Sequence, residues 1–209
     1  KMRICDPSKA TLVAGSGVDM REFKVVPMPE GRPTFLFVGR FLAQKGINEL
    51  VSAMEHVKQQ YPDARLQLIG STDDNPSSLS AKEVARLVES GTVENLGWLD
   101  DVRPAIANAS VMVLPSHREG TPRAVLEAMS MGRAILTTDA PGCRETVVHQ
   151  QNGLLVPLHD VQALADAMVF LYQNPDRVQE MGAASRVYVE QRFDVNLVNR
   201  DMLGKMNLV

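Results

Sequence analysis

Short runs of branched apolar residues alternate along this chain with longer stretches whose apolar positions recur every three or four residues. Thr34 to Val38 (TFLFV) ends at Gly39, Arg65 to Ile69 (RLQLI) at Gly70, Thr92 to Leu96 at Gly97, and Ser110 to Leu114 (SVMVL) at Pro115. Ala134 to Thr138 (AILTT) and Gly153 to Val156 (GLLV) complete the set. Runs of this length and composition read as strands buried on both faces. The stretches between them read as helices: Ile47 to Gln60, Ser80 to Ser90, Val102 to Ala109, Pro122 to Met131, and a short one from Cys143 to His149. Alternating strand and helix implies a parallel sheet with right-handed crossovers. Six strands predict an α/β fold with a doubly wound, mostly parallel, Rossmann-like sheet. After Pro157 the pattern is helical only, over Val161 to Gln173 and Pro175 to Arg192, followed by a tail to Val209.

Composition narrows the function classes. The 209 residues are 44% hydrophobic and 22% charged, ordinary for a globular domain, and the net charge is -3. Nucleic-acid binders usually carry a basic excess, so nucleic acid is not expected as a partner. Two cysteines, Cys5 and Cys143, lack metal spacing and read as reduced thiols of a cytoplasmic protein. No run approaches the roughly 18 apolar residues of a transmembrane helix, and no signal-peptide pattern stands at the start. The opening Lys1 to Pro7 does not look like the start of a folded domain, so the chain is expected to be a fragment.

In sheets of this kind ligands sit beyond the carboxyl ends of the strands. The loop Gly39-Arg40-Phe41-Leu42-Ala43-Gln44-Lys45-Gly46 follows a strand and opens a helix. Its two cations suit a diphosphate, Arg40 by a planar fork and Lys45 as a point charge. The plain alternative is two solvated surface cations. Neither a Gly-x-Gly-x-x-Gly fingerprint nor a Walker lysine pattern is present, which argues against a dinucleotide enzyme or an ATPase.

The second loop is Ser116-His117-Arg118-Glu119-Gly120-Thr121-Pro122-Arg123-Ala124-Val125-Leu126-Glu127. Thr121 is expected as the N-cap and Pro122 as the first helical residue. The amides of Arg123 and Ala124 would then face the crevice, where the helix dipole favours an anion. Gly120 would let the backbone approach a ligand closely. Glu127 sits on an otherwise apolar helix and needs a partner, either a ribose diol or Arg123 one turn away. His117 beside Glu119 tempts as a base but is read as structural. Asp73-Asp74 and Asp100-Asp101 are not Asp-x-Asp metal motifs and read as turn and N-cap residues. The four histidines show no metal spacing, so no metal is expected, and Cys143 reads as a structural thiol.

Glu119 and Glu127, with seven residues between them and with Arg40 and Lys45 upstream, resemble the signature of the retaining family 4 glycosyltransferases. The resemblance runs from Val13 to about Arg192. It is sharpest at Phe37-Val38-Gly39-Arg40 with Lys45-Gly46, at Glu119-Gly120-Thr121-Pro122 with Glu127-Ala128, and over Gly132 to Val156. The stretch Arg118 to Met129 looks closest to bacterial enzymes that build lipid-linked O-antigen, capsule or glycan repeats. The resemblance implies the donor-binding, C-terminal half of a GT-B fold. It implies that Arg40 and Lys45 neutralise the donor diphosphate and the leaving group. Glu119 would bind hydroxyls of the transferred sugar, and Gly120, Thr121, Pro122 and Arg123 would line the sugar and distal phosphate. Glu127 would hold the ribose, Leu99 in Gly97-Trp98-Leu99-Asp100-Asp101 the base, and Gly70 would lie under the nucleotide. The donor would be a nucleotide diphosphate sugar, a UDP-hexose or UDP-N-acetylhexosamine, bound without metal or other cofactor.

The same resemblance makes residues 1–30 an interdomain crossing, with Ser16-Gly17-Val18-Asp19 to Phe23 as its core. Residues 31–192 become the nucleotide-sugar domain, and 193–209 a tail that packs on a missing N-terminal domain. That missing half would hold the acceptor glycan, possibly lipid-linked, and any surface that docks the full-length enzyme peripherally on the inner face of the membrane. Without it, Val195, Leu197, Val198, Met202, Leu203 and Met206 are expected to form an exposed apolar patch. Two other readings stay open: a nucleotide-sugar-binding module without activity, and a nucleotide-sugar 2-epimerase on the same architecture.

Overall fold

The computed structural model describes Val13, residues 15–72 and residues 75–206. Cys5, Asp73, Asp74 and the opening residues 1–7 lie outside the described residues. Six strands form one parallel sheet: β1 (Thr34–Val38), β2 (Arg65–Ile69), β3 (Glu94–Gly97), β4 (Val111–Leu114), β5 (Ala134–Thr138) and β6 (Gly153–Val156). Their order is β3-β2-β1-β4-β5-β6. The strand order reverses between β1 and β4, which is where doubly wound sheets open a crevice. Register there pairs Phe35 with Val111 and Leu36 with Met112, and pairing stops two residues short of each strand's end.

The helices are α1 (Ile47–Gln60), α2 (Ala81–Glu89), α3 (Arg103–Ala107), α4 (Arg123–Ser130), α5 (Val161–Gln173), α6 (Pro175–Arg192) and α7 (Val195–Lys205). α1 packs on α5, and α4 packs on α6 and β5. The core is continuous from Phe35, Leu36 and Phe37 of β1 to Val125, Leu126, Ala128 and Met129 of α4, all buried. Each such side chain contributes about 1.5–3 kcal/mol over an exposed one.

Several expectations shift. The third strand lies at Glu94–Gly97, not Thr92 to Leu96, and it is the half-exposed sheet edge rather than a strand buried on both faces. Its polar residues face outward, and Arg65 of β2 ion-pairs with Glu94 across the edge. Cys143 to His149 forms only a 3-10 turn at Arg144–Thr146. Ser80 caps α2 through a capping box with Glu83. The tail is a helix, α7, with Val198 and the preceding Phe193 buried, while Leu197, Leu203 and Met206 remain exposed.

Two clamps hold the segment before β1 to the domain. Val18 and Asp194 form a parallel bridge, with Val18 N–H donating to Phe193 O at 2.8 Å and Val195 N–H to Val18 O at 3.0 Å. Arg133, fully buried and with no carboxylate partner among the described residues, donates to the carbonyls of Ile106 and Pro27, each at 3.0 Å. Burial lowers its pKa to about 10, so the carbonyl cage holds a guanidinium that still carries its charge at neutral pH.

Candidate functional site

The site lies at the switch point, on loops that leave the carboxyl ends of β1, β2, β3, β4 and β5. Two of these loops need glycine. A Cβ on Gly70 would lie 2.0 Å from the Gly39 carbonyl oxygen, and Gly70 has φ +144°. Gly39 N–H donates to Ile69 O and Gly70 N–H to Gly97 O, both at 2.9 Å, so the three strand ends form one low floor. Gly46 has φ +73°, and a Cβ there would lie 2.0 Å from the Pro115 carbonyl oxygen. This close approach brings the loop after β1 against the loop after β4. Ser116 Oγ and His117 N–H both donate to Gln44 O at 3.0 Å and fasten the contact.

Lys45 and Glu119 meet across that junction. Lys45 Nζ donates to Glu119 Oε1 at 2.6 Å, with side chains 26% and 11% exposed. Glu119 N–H donates to Pro141 O at 2.9 Å, so the loop after β5 supports the pair from behind. Lys45 is therefore a partly buried ion-pair partner and not a solvated surface charge.

A cavity of about 620 Å³ gathers Arg40, Gly70, Leu99, Arg123, Ala124 and Glu127 around the end of β1. Arg40 is exposed on its rim. Glu127 is 13% exposed, and its carboxylate lies 3.7 Å from Arg123 Nη2, beyond hydrogen-bond length. Burial raises its pKa above the ordinary glutamate value; Arg123 works against this and Glu22 adds to it. The sequence left ribose diol and Arg123 as alternative partners. In the structure Arg123 is a loose neighbour, and the carboxylate borders the cavity.

The start of α4 differs from expectation. Pro122, not Thr121, is the N-cap residue, and Arg123 is the first helical residue. Thr121 lies one residue outside the helix start, with its side chain against Gly15, where a Cβ would lie 2.6 Å away. The amides of Arg123 and Ala124 make no backbone hydrogen bond among the described residues. An uncapped helix start beside a cavity is a ready anion site. Gly120 and Thr121 open onto a neighbouring cavity of about 550 Å³ that Gly142 and Arg192 also line. Pro122 is buried at the junction. The structure therefore assembles Arg40, Gly70, Leu99, Arg123 and Glu127 in one cavity. It sets Lys45 with Glu119 as an ion pair, and it directs Gly120 and Thr121 to the adjoining space.

Sequence reasoning missed three contributors. Trp98, 71% exposed, stands beside Leu99 on the cavity wall. A lone tryptophan in a strand-end loop was the available signal. Glu22 and Phe23 reach the same cavity from the segment before β1, with no local motif to mark them. Other residues fall as read: Asp101 accepts from the Arg103 backbone and side chain, and burial pushes the Cys143 thiol up. His117 pairs with Glu49 at 2.9 Å and His159 with the same carboxylate oxygen at 3.1 Å, a cluster that sequence spacing did not reveal.

Residues 32–174 match the family model described as glycosyl transferases group 1. The N,N'-diacetylbacillosaminyl-diphospho-undecaprenol alpha-1,3-N-acetylgalactosaminyltransferase of Campylobacter jejuni is 32% identical over 167 residues, 80% of this chain and 42% of that protein. A sucrose-phosphate synthase from Thermosynechococcus elongatus superposes with a TM-score of 0.79 at 28% identity, over 91% of this chain and 50% of its own. The C-terminal domain of a glycosyl transferase group 1 family protein from Francisella tularensis shares the fold, with a TM-score of 0.72 at 22% identity, over 85% of this chain and 99% of its own. The chain spans somewhat under half the length of its curated relatives, 42% to 45% for three of them. Among the described residues no helix is long and apolar enough to cross a membrane.

Proposed function

This chain belongs to the glycosyl transferases group 1 family, and from that premise we propose that it is the donor-binding half of a retaining, metal-independent glycosyltransferase. The observation that carries the reading is the cavity at the β1–β4 switch point. A guanidinium, two helix amides with no backbone acceptor among the described residues, an apolar wall and a largely buried carboxylate all meet there. These are complementary to the parts of a nucleotide diphosphate sugar. Arg40 and Lys45 neutralise the diphosphate and the charge that grows on it as the sugar leaves. The amides of Arg123 and Ala124 take the distal phosphate. Glu127 accepts from the ribose hydroxyls, an exchange that relieves its burial. Leu99, with the Trp98 indole, takes the base above Gly70, and Glu119 with Gly120, Thr121 and Pro122 holds the transferred sugar.

A UDP-hexose or UDP-N-acetylhexosamine is the donor, transferred to a polysaccharide or lipid-linked acceptor. The C. jejuni relative supports this choice, since its name gives an N-acetylgalactosaminyl group, an alpha linkage and an undecaprenol-linked acceptor. Retention follows from an alpha product of an alpha-linked donor. The acceptor, and a peripheral contact with the inner face of the membrane, belong to the other half of the full-length enzyme. The 42% coverage of that relative favours one companion statement: these residues alone bind donor without transferring it. Transfer needs the acceptor held in near-attack geometry. Calorimetric titration of UDP in EDTA tests the site. Binding is expected in the chelator, and binding that vanishes with EDTA and returns with manganese overturns the metal-free reading.

A further inference from the structure

Outside the donor cavity, three segments converge on one point. Glu49 comes from the first turn of α1, His117 from the loop after β4, and His159 from the turn before α5. Glu49 Oε1 lies 2.9 Å from His117 Nε2 and 3.1 Å from His159 Nδ1, and the three atoms all lie within 4.8 Å of one another. The two imidazoles stand edge to face with centroids 4.1 Å apart. We propose that Glu49, His117 and His159 bind one divalent transition-metal ion of the zinc class.

The donor set is the first argument. Two imidazoles and a carboxylate, with a fourth position open to water, form a tetrahedral zinc set, and imidazole nitrogen suits this class over calcium or magnesium. The spacing is the second. Metal–ligand bonds of about 2.0–2.2 Å at tetrahedral angles place neighbouring donor atoms roughly 3.3–3.6 Å apart. The observed 2.9 and 3.1 Å need to open by about 0.2–0.7 Å to reach that spacing, and the two ring nitrogens lie within 4.8 Å of each other. The two ring nitrogens now share one carboxylate oxygen, and an ion would replace the proton each ring donates to it. The backbone is the third. His159 has φ +59°, one of two non-glycine residues in the left-handed region among those described, and this conformation sits where its ring meets Glu49. Its side chain is 63% exposed, which leaves an entry path for the ion.

The ion would tie α1, the loop after β4 and the turn before α5 together. His117 N–H already holds Gln44, the neighbour of Lys45, so the ion would brace the loop junction without touching the donor. The test is zinc chloride titrated by calorimetry into this 209-residue chain after EDTA stripping and dialysis, with cobalt(II) absorption as a second readout. One equivalent is expected, with the intense visible bands of tetrahedral cobalt. At free zinc 100 times the Kd, the Tm should rise on the order of 5–10 °C. His159→Asn tolerates the left-handed backbone but removes the imidazole, and Glu49→Gln keeps the shape but removes the charge. Each should weaken zinc binding at least about tenfold, the loss seen even when a supporting group is removed. UDP affinity of His159→Asn should be unchanged, which also reports that the variant is folded. Zinc affinity equal in wild type, His159→Asn and Glu49→Gln overturns the assignment. So does absence of a binding isotherm, or loss of binding in Cys5→Ala, which would place the ion on the thiol.

Discussion

Replacing Lys45 by methionine leaves Glu119, 11% exposed, without the ammonium that lies 2.6 Å away. Fully exposed pairs are worth at most about 1 kcal/mol, and breaking a fully buried one costs about 3–5 kcal/mol. Lys45 retains 26% exposure, so water screens part of the lost charge. A charge-assisted hydrogen bond in such a setting contributes about 1.5–3 kcal/mol. Lys45→Met should therefore cost about 2 kcal/mol, a fall in Tm of roughly 4–8 °C for a chain of this size. Glu119→Gln should cost less, because the amide oxygen of Gln can still accept from Lys45 Nζ and the ammonium, 26% exposed, reaches water. The double variant should cost about 1–2 kcal/mol less than the sum of the singles, the coupling expected of direct partners. Urea and thermal unfolding of the four proteins measure this. The same cycle at saturating UDP should show a smaller coupling, because the diphosphate takes over Lys45 in part. A coupling below about 0.5 kcal/mol without ligand, within the error of additivity, refutes the ion pair as an energetic link. A coupling that UDP leaves unchanged refutes the diphosphate role of Lys45.

Arg40→Ala should raise the UDP Kd by about 10- to 100-fold and leave uridine within about twofold, as calorimetry of both ligands would show; equal losses count against a phosphate contact. Glu127 has a raised folded-state pKa, so the stability it contributes is present below the unfolded glutamate value of 4.5 and is lost as pH rises through the higher folded value. Glu127→Gln should therefore gain in stability on the wild type as pH climbs from below 4.5, read from urea midpoints at several pH values, while its UDP affinity falls; a constant difference across pH rules out the desolvation argument. Gly46→Ala meets both a positive φ and the Pro115 carbonyl, and should destabilise by about 2–4 kcal/mol in urea unfolding.

What could be read from the chain followed the range over which each signal acts. The runs TFLFV and AILTT lie inside a parallel sheet, and GLLV, at one edge, is covered by α5 and α6, so their own apolarity sufficed to place β1, β5 and β6. Glu94–Gly97 forms the opposite edge, left half-exposed, where polar residues are tolerated and the apolar signal slides two residues upstream. Arg40, Gly70, Leu99, Arg123 and Glu127 converge as expected because each sits at a strand end or in the helix that follows one. The Thr121 cap failed because Pro122 stays extended and starts the helix one residue later, while the Thr121 side chain lies against Gly15, more than a hundred residues earlier in the chain. The Lys45–Glu119 pair and the Glu49–His117–His159 cluster are likewise tertiary. Their members are brought together by the reversal of strand order, which spacing along the chain does not encode.

The bridge between Val18 and Asp194 gives the domain a mechanical character. Because the two segments run parallel, the chain before Val18 and the chain after Asp194 leave the bridge in opposite directions. Tension applied through those flanks loads the two hydrogen bonds in shear, and Gly17, with no room for a Cβ against Val195, keeps the contact tight. The six strands lie outside that force path while the bridge holds. A pull on both flanks is therefore borne by this bridge before it reaches the sheet.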